Sequence, residues 1–551
     1  MTTKIIPSSY QKDIYRNVAK ENGHLIVEAL AGSGKTTSLI ESFKFIPRNN
    51  KTIVFAFNKI IQKELQLRAP SYVLATTFHS HGFRAIKQKF GEVEIDDNKV
   101  YNIIKKIDDF ESDLIDNVKA TVDQCRNSLI DYPGGIDNII YKFGIDTCEM
   151  ERKEFISLVI KVLEKDKLMT NVIDFSDMCY LPFVYNLNLG NYQYVYIDEY
   201  QDINKSNFVM AKKCCDPIKG RMIIFGDKYQ DLYSWRGSDS SLVEDLKQEP
   251  NTKILTLPIS YRCPVKIINL AKSWAKDILP ADNAKDGKID NITLNHLYDT
   301  IKPGCFILSR TNGPLIKVAM NLIRRGIRAN IRGRDISKQL TYLIKKSKKK
   351  QVPAFLKWLD NWKDEEVAKL KAKRMNTDNV LDRVECLTNL CEEFSSLEEV
   401  KKKINELFND TDEKSIVILS SVHRAKGLER EVVYLLKWTF RAWLDNVPHG
   451  MTENEEMNIA YVAATRTKDA LHLVHKDYIP KGDVGGVITH ASMSKFSDAI
   501  DCIGAMNEPE YEFYEPQEPQ ENDLMIEPNS DRTYVSNPTF PSHETDYFDE
   551  P

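Results

Sequence analysis

The chain reads as an α/β protein with two parallel-sheet cores, each interrupted by a helical insertion, and an acidic C-terminal tail expected to be disordered. Three observations lead there. Short apolar runs alternate with helical stretches over the first 80 residues, as in strand–helix–strand units. The same alternation returns after residue 262, and lysine-rich or charged helical stretches interrupt it both times. From residue 508 onward, 13 acids face a single base, Arg532, and 7 of the 22 prolines gather there without periodicity. Such a segment cannot bury enough apolar surface to order itself.

Residues 24–29 read as a buried strand, followed by a Gly-rich turn and a helix over 35–45. Strands at 52–57 and 73–77 flank a helix at 59–67. Residues 83–167 are helical, and strands return at 194–198, 221–226 and 253–257. The second set comprises helix 264–276, strand 305–309, helix 314–325, strands 415–420 and 431–436, and helix 454–467. The domain reading follows: core 1 over 1–82 and 168–262 with insertion 83–167; core 2 over 263–334 and 411–480 with insertion 335–410; an extension over 481–551.

Composition narrows the function. Hydrophobic residues make up 42% and charged residues 28%, ordinary values for a water-soluble domain. The apolar runs are strand-length, so no membrane span is expected. The N-terminus lacks a charged-then-apolar leader pattern, which predicts an intracellular protein. None of the ten cysteines forms a C-x-x-C pair, which argues against a zinc ribbon. The net charge of −4 conceals an asymmetry: residues 1–507 carry 67 acids and 75 bases, and the tail carries a net −12. A mildly basic body can attract a polyanion.

The chemistry concentrates in short motifs. Ala29-Leu30-Ala31-Gly32-Ser33-Gly34-Lys35-Thr36 lies between a strand and a helix. Backbone N–H groups in such a turn cradle phosphate oxygens at a helix N-terminus. Lys35 would reach the β/γ-phosphates and Thr36 would ligate Mg²⁺, although Ala29 stands where the strict pattern has Gly. A neighbouring strand ends in Asp198-Glu199-Tyr200-Gln201-Asp202. Asp198 would hold Mg²⁺, and Glu199 would activate the attacking water.

In their order and approximate spacing, these motifs and those that follow, over residues 8–475, resemble superfamily 1 helicases of the UvrD/Rep type, whose two cores are RecA-like. The resemblance implies ATP and Mg²⁺ as cofactors, with Ala31, Gly32, Ser33, Gly34, Lys35, Thr36 and Thr37 around the nucleotide. Ser9-Tyr10-Gln11 is similar to the adenine-reading motif, which assigns Gln11 to the base. The run from Phe225 to Gly237 resembles the family's motif III: Gln230 would sense the γ-phosphate, and Trp235, with Tyr233 and Arg236 beside it, would stack on DNA bases. In Ser260-Tyr261-Arg262, Tyr261 would stack on adenine and Arg262 would contact the γ-phosphate. In the segment from Ser421 to Glu429, His423 would lie near the DNA backbone, and Gly427 and Glu429 near the ribose. Arg466 would be an arginine finger. Phe57 and Asn58, and Phe78 with His79, match DNA-contacting turns; the first of these is closer to the F-box DNA helicase branch. Thr37 stands where bacterial relatives often carry Arg.

The resemblance further implies ATP-driven movement along single-stranded DNA in the 3′→5′ direction, with single-stranded DNA and its junctions with duplex as partners. Rival readings are a translocase that strips proteins from DNA, an RNA helicase, and a nucleotide-gated binding module without turnover. Lys345–Lys350 with Trp358 and Trp362 form a candidate duplex-binding patch, and the tail is a candidate protein-docking segment.

Overall fold

A computed structural model describes residues 6–232, 241–372, 377–408, 415–440 and 453–476. Tyr233, Trp235, Arg236 and the acidic tail lie outside the described residues.

Two six-stranded parallel sheets organise the chain. The first contains β1 (Leu25–Ala29), β2 (Thr52–Ala56), β3 (Val73–Thr77), β4 (Tyr194–Asp198), β5 (Arg221–Gly226) and β6 (Lys253–Leu257), in the order β3-β2-β4-β5-β1-β6. The second contains β7 (Lys288–Thr293), β8 (Phe306–Ser309), β9 (Ala329–Ile331), β10 (Val417–Ser421), β11 (Arg430–Leu436) and β12 (Thr467–His475), in the order β7-β12-β11-β8-β10-β9. Helices cover both faces of a parallel sheet, so its central strands become continuous apolar runs. β2 and β5 are buried along their whole length. Each buried Ile, Val or Phe contributes about 1.5–3 kcal/mol relative to exposure. The sheets are therefore rigid, and the loops at their C-terminal edges are held in register. Such edges are where α/β sheets bind ligands.

The two helical stretches differ. Helices Lys99–Lys105, Ser112–Ser128, Pro133–Phe143 and Arg152–Leu168 close a core of their own around Val118, Val122, Ile139, Phe155 and Val159. Helices Arg334–Lys346, Val352–Ala372, Asp378–Cys391 and Leu397–Leu407 share one core with the second sheet, in which Leu340, Phe355, Leu387 and Val400 join Ile307 and Leu419. Trp358 and Trp362 stack at 6.3 Å and pack against that core.

Three strands of the second sheet escape the sequence reading: β7, β9 and β12. The helix expected over 454–467 ends at Ala464. Thr465 turns its hydroxyl back to the Tyr461 carbonyl at 2.8 Å, and the Arg430 N–H donates to the Arg466 carbonyl at 3.0 Å. Sheet pairing thus claims the backbone that helical periodicity had assigned to the helix. Arg466 consequently sits in a turn between the helix and β12.

Candidate active site

Lys35 opens the helix that follows β1, and both glycines before it are left-handed, Gly32 at φ +73° and Gly34 at φ +76°. Gly32 has a second constraint: a Cβ there would lie 2.6 Å from the Arg262 Cβ. The Tyr261 N–H donates to the Gly32 carbonyl at 2.8 Å, so the loop after β1 and the segment after β6 are locked together.

Lys35 Nζ forms an ion pair with Glu199 and stands 4.0 Å from Asp198 Oδ1. Burial alone would lower the Lys35 pKa; Glu199 and Asp198 outweigh it and raise it. Burial pushes the Asp198 carboxyl up. Burial would do the same to Glu199, but Lys35 and Lys426 hold it below the usual carboxylate range. The Glu199 backbone is left-handed at φ 56°, an unfavourable conformation for a residue with a Cβ and one that clusters at functional sites. Gln201 fixes the turn: its Nε2 donates to Glu199 Oε2 at 2.6 Å and its Oε1 accepts from the Asp227 N–H at 3.0 Å.

The second sheet sends cations into the same cleft. Lys426 Nζ donates to both carboxylate oxygens of Asp202, at 2.6 and 2.8 Å, and to the Gln230 carbonyl at 2.8 Å. Arg466 is 1% exposed; it donates to the carbonyls of Val462 (3.0 Å) and Leu428 (3.4 Å) and to Gln230 Oε1 (3.4 Å). Among the described residues it has no carboxylate partner. Burial lowers its pKa to about 10, with Arg262 adding like-charge repulsion. Arg262 meets Glu429 at 2.5 Å, and Lys468 pairs with the other carboxylate oxygen of Glu429.

The cleft encloses about 2420 Å³ and is lined by both sheets' loops and both helical stretches. Thirteen Lys and Arg side chains against seven Asp and Glu make it cationic. Ser33, Thr36, Thr37, Gly427, His423 and Asn58 line it with the groups above. Tyr261 is 53% exposed at its mouth, with a ring face open to a planar base. Gln11 is buried beside Gly34; its amide closes a capping box with Ser8 and donates to Ser38 Oγ at 2.9 Å, which ties the first helix to the helix opened by Lys35. The Ala31 N–H donates to the Tyr461 hydroxyl at 2.9 Å.

One DNA-facing expectation, Phe78, meets a buried ring. Phe78 is 5% exposed and lies flat on Phe55 with centroids 4.3 Å apart, because it caps the end of β3 inside the core; its face is not open to a base. The Asn58 carboxamide oxygen accepts from the N–H groups of Ile60 and Ile61 and caps the helix Lys59–Arg68. Phe57 is exposed at the cleft, and His79 is exposed with its ring edge-on to Phe175 at 5.9 Å. Sequence reasoning passed over Phe175, Gln201, Lys426 and Tyr461. Gln201 and Lys426, both inside motifs already noted, carried a signal that could have been used.

Two parallel-sheet cores meeting over a glycine-rich strand–helix loop define a two-core α/β architecture. Comparison with known proteins narrows this. A family model described as the UvrD/REP helicase N-terminal domain matches residues 11–251. The ATP-dependent DNA helicase PcrA of Staphylococcus epidermidis is 27% identical over 290 residues, 47% of this chain and 39% of the relative. The ATP-dependent DNA helicase Rep of Buchnera aphidicola is 25% identical over 283 residues, 46% of this chain and 43% of the relative. The chain thus matches about two fifths of the length of these curated relatives. No described helix is long and apolar enough to cross a membrane.

Proposed function

We propose that this protein is an ATP-dependent DNA helicase or translocase that couples hydrolysis to movement along single-stranded DNA, 3′→5′ by its resemblance, and opens duplex at single-strand junctions. The domain boundaries are those read from the sequence. The observation that carries the proposal is Arg466: a buried guanidinium from one core that, among the described residues, has no carboxylate partner and reaches Gln230 of the other. An anion in the cleft would answer Arg466, and ATP brings it.

The residues fit Mg²⁺. Asp198 Oδ2 is buried without a hydrogen-bond partner, and Mg²⁺ commonly takes one or two carboxylates together with substrate phosphates. Thr36 and Asp198 would hold it, and it would neutralise charge on the phosphate oxygens. Lys35 is the pivot. Phosphates compete with Glu199 for its ammonium group. Once Lys35 turns to them, Glu199 loses its nearest cation while staying largely shielded from water. Its basicity then rises, and it can take a proton from the attacking water. Gln230 and Arg466 face charge that develops on the transferred phosphoryl group. The cationic cleft would carry the strand, with Phe57, His79, Phe175 and Trp235 as stacking candidates.

The test is ATP hydrolysis with and without single-stranded DNA, alongside unwinding of duplexes with 3′ or 5′ overhangs. Stimulated turnover with 3′-overhang unwinding supports the proposal. Turnover stimulated only by RNA, or none at all, rejects it.

A further inference from the structure

Tyr461 is fully buried on the helix Glu453–Ala464, which belongs to the second core, yet its hydroxyl reaches the first. It accepts from the Ala31 N–H at 2.9 Å and donates to Asp227 Oδ2 at 3.3 Å. Its ring lies 5.7 Å from that of Tyr229. Asp227 also accepts from Gln230 Nε2 at 2.8 Å and from the Tyr229 N–H at 3.1 Å. The Gln230 carboxamide oxygen in turn accepts from Arg466 at 3.4 Å. One unbroken path therefore runs from the phosphate loop through a core 2 hydroxyl to Asp227, on to Gln230, and back to core 2 at Arg466.

We propose that Tyr461 is a positioning residue, whose hydroxyl makes the shape of the phosphate loop and the aim of Gln230 depend on the same contact between the cores. The inference rests on the nucleotide-driven reading above. A phenol suits the task because it both accepts and donates at one atom. Phenylalanine would fill the same space but leave the buried Ala31 N–H unpaired and remove one of the three donors that orient the Asp227 carboxylate. Gln230 would then keep its chemistry and lose its placement. The side chain touches neither substrate nor reacting atoms, so its effect should fall on turnover with nucleotide affinity little changed.

The experiment measures DNA-stimulated ATP hydrolysis by the full chain. Tyr461→Phe is expected to lower kcat about tenfold, with KM for ATP changed less than about twofold. In a Gln230→Ala background the same substitution should change kcat less than about twofold, because the element it positions is gone. Asp227→Asn, which interrupts the path on its other side, should show the same dependence on Gln230 and serves if Tyr461→Phe misfolds. An unchanged kcat, or equal losses in both backgrounds, overturns the assignment. Wild-type protein without nucleotide turnover rejects the broader function instead, so the two failures are distinguishable.

Discussion

Two charge networks stand in this protein, built from the same side-chain types, one partly exposed at the cleft and one buried at a helix junction. At the cleft, Lys35 and Lys426 meet Asp198, Glu199 and Asp202. At the junction of the first helical stretch, Lys99 and Arg126 meet Asp166, Asp174 and Asp177, with Lys99 Nζ 2.7 Å from Asp177 and Arg126 Nη2 2.8 Å from Asp174. In the junction network the partners lie on or beside packed helices, none of the five lines the cleft, and the set bolts the helical stretch to the first sheet. In the cleft network the partners sit at a helix start, a strand end and turns of both cores, Glu199 is backbone-strained, and Asp198 keeps an oxygen without a hydrogen-bond partner. Burial and pairing by themselves therefore do not mark a reactive site. What marks it is a charge set whose partners belong to separate bodies and open onto a cavity.

Substitutions can break this contrast. The largest effect is expected at Lys35. Lys35→Ala should reduce ATP hydrolysis to background with DNA binding retained. Its unfolding midpoint should move little, because Lys426 still faces Glu199 and the raised Asp198 pKa allows that group to take up a proton. Turnover and denaturant curves on the same preparation check it. Near-normal hydrolysis would remove the cleft network from catalysis.

Arg466→Ala comes next: turnover should fall by about 10³-fold or more, with only a modest change in ATP affinity. Steady-state kinetics beside direct nucleotide binding decide this, and lost binding with intact turnover would recast Arg466 as a binding residue. The converse change is Arg126→Ala. It leaves Asp166, Asp174 and Asp177 short of a buried partner and should cost about 3–5 kcal/mol of stability in denaturant titration. Turnover per folded molecule should stay within about twofold. A large kcat loss at full stability would tie the junction to the chemistry. The smallest effect belongs to Trp235→Ala. Losing one base stack weakens strand grip by about 1–3 kcal/mol, so unwinding should fall more than hydrolysis at saturating DNA. Equal losses in the two assays would favour a core role for this tryptophan.

The cleft network was legible because its core is contiguous. A phosphate loop, a strand-end Asp-Glu pair and the short segments around Gln230, Tyr261, Glu429 and Arg466 each hold their meaning within a few residues. The junction network had no such signature. Lys99, Arg126 and Asp166 look like ordinary charges on amphipathic helices, and only packing takes them out of water. Phe78 is a related case. Its turn resembles a DNA-contacting segment, but the aromatic at Phe55 on the adjacent strand offers a dry face, and burial of that ring prevails.

From sequence alone came the parallel-sheet class, the phosphate loop with Lys35 and Thr36, and the acids at Asp198 and Glu199. Turn chemistry and the alternation of apolar runs act over a few residues, so they are written along the chain. Tertiary structure alone decided that helix Glu453–Ala464 stops before Arg466, that Lys426 pairs with Asp202 more than 200 positions away, and that the Tyr461 hydroxyl meets the phosphate loop. Those contacts join segments hundreds of residues apart. Which of many lysines, arginines and tyrosines makes them depends on how two rigid sheets dock, a property that no local pattern encodes.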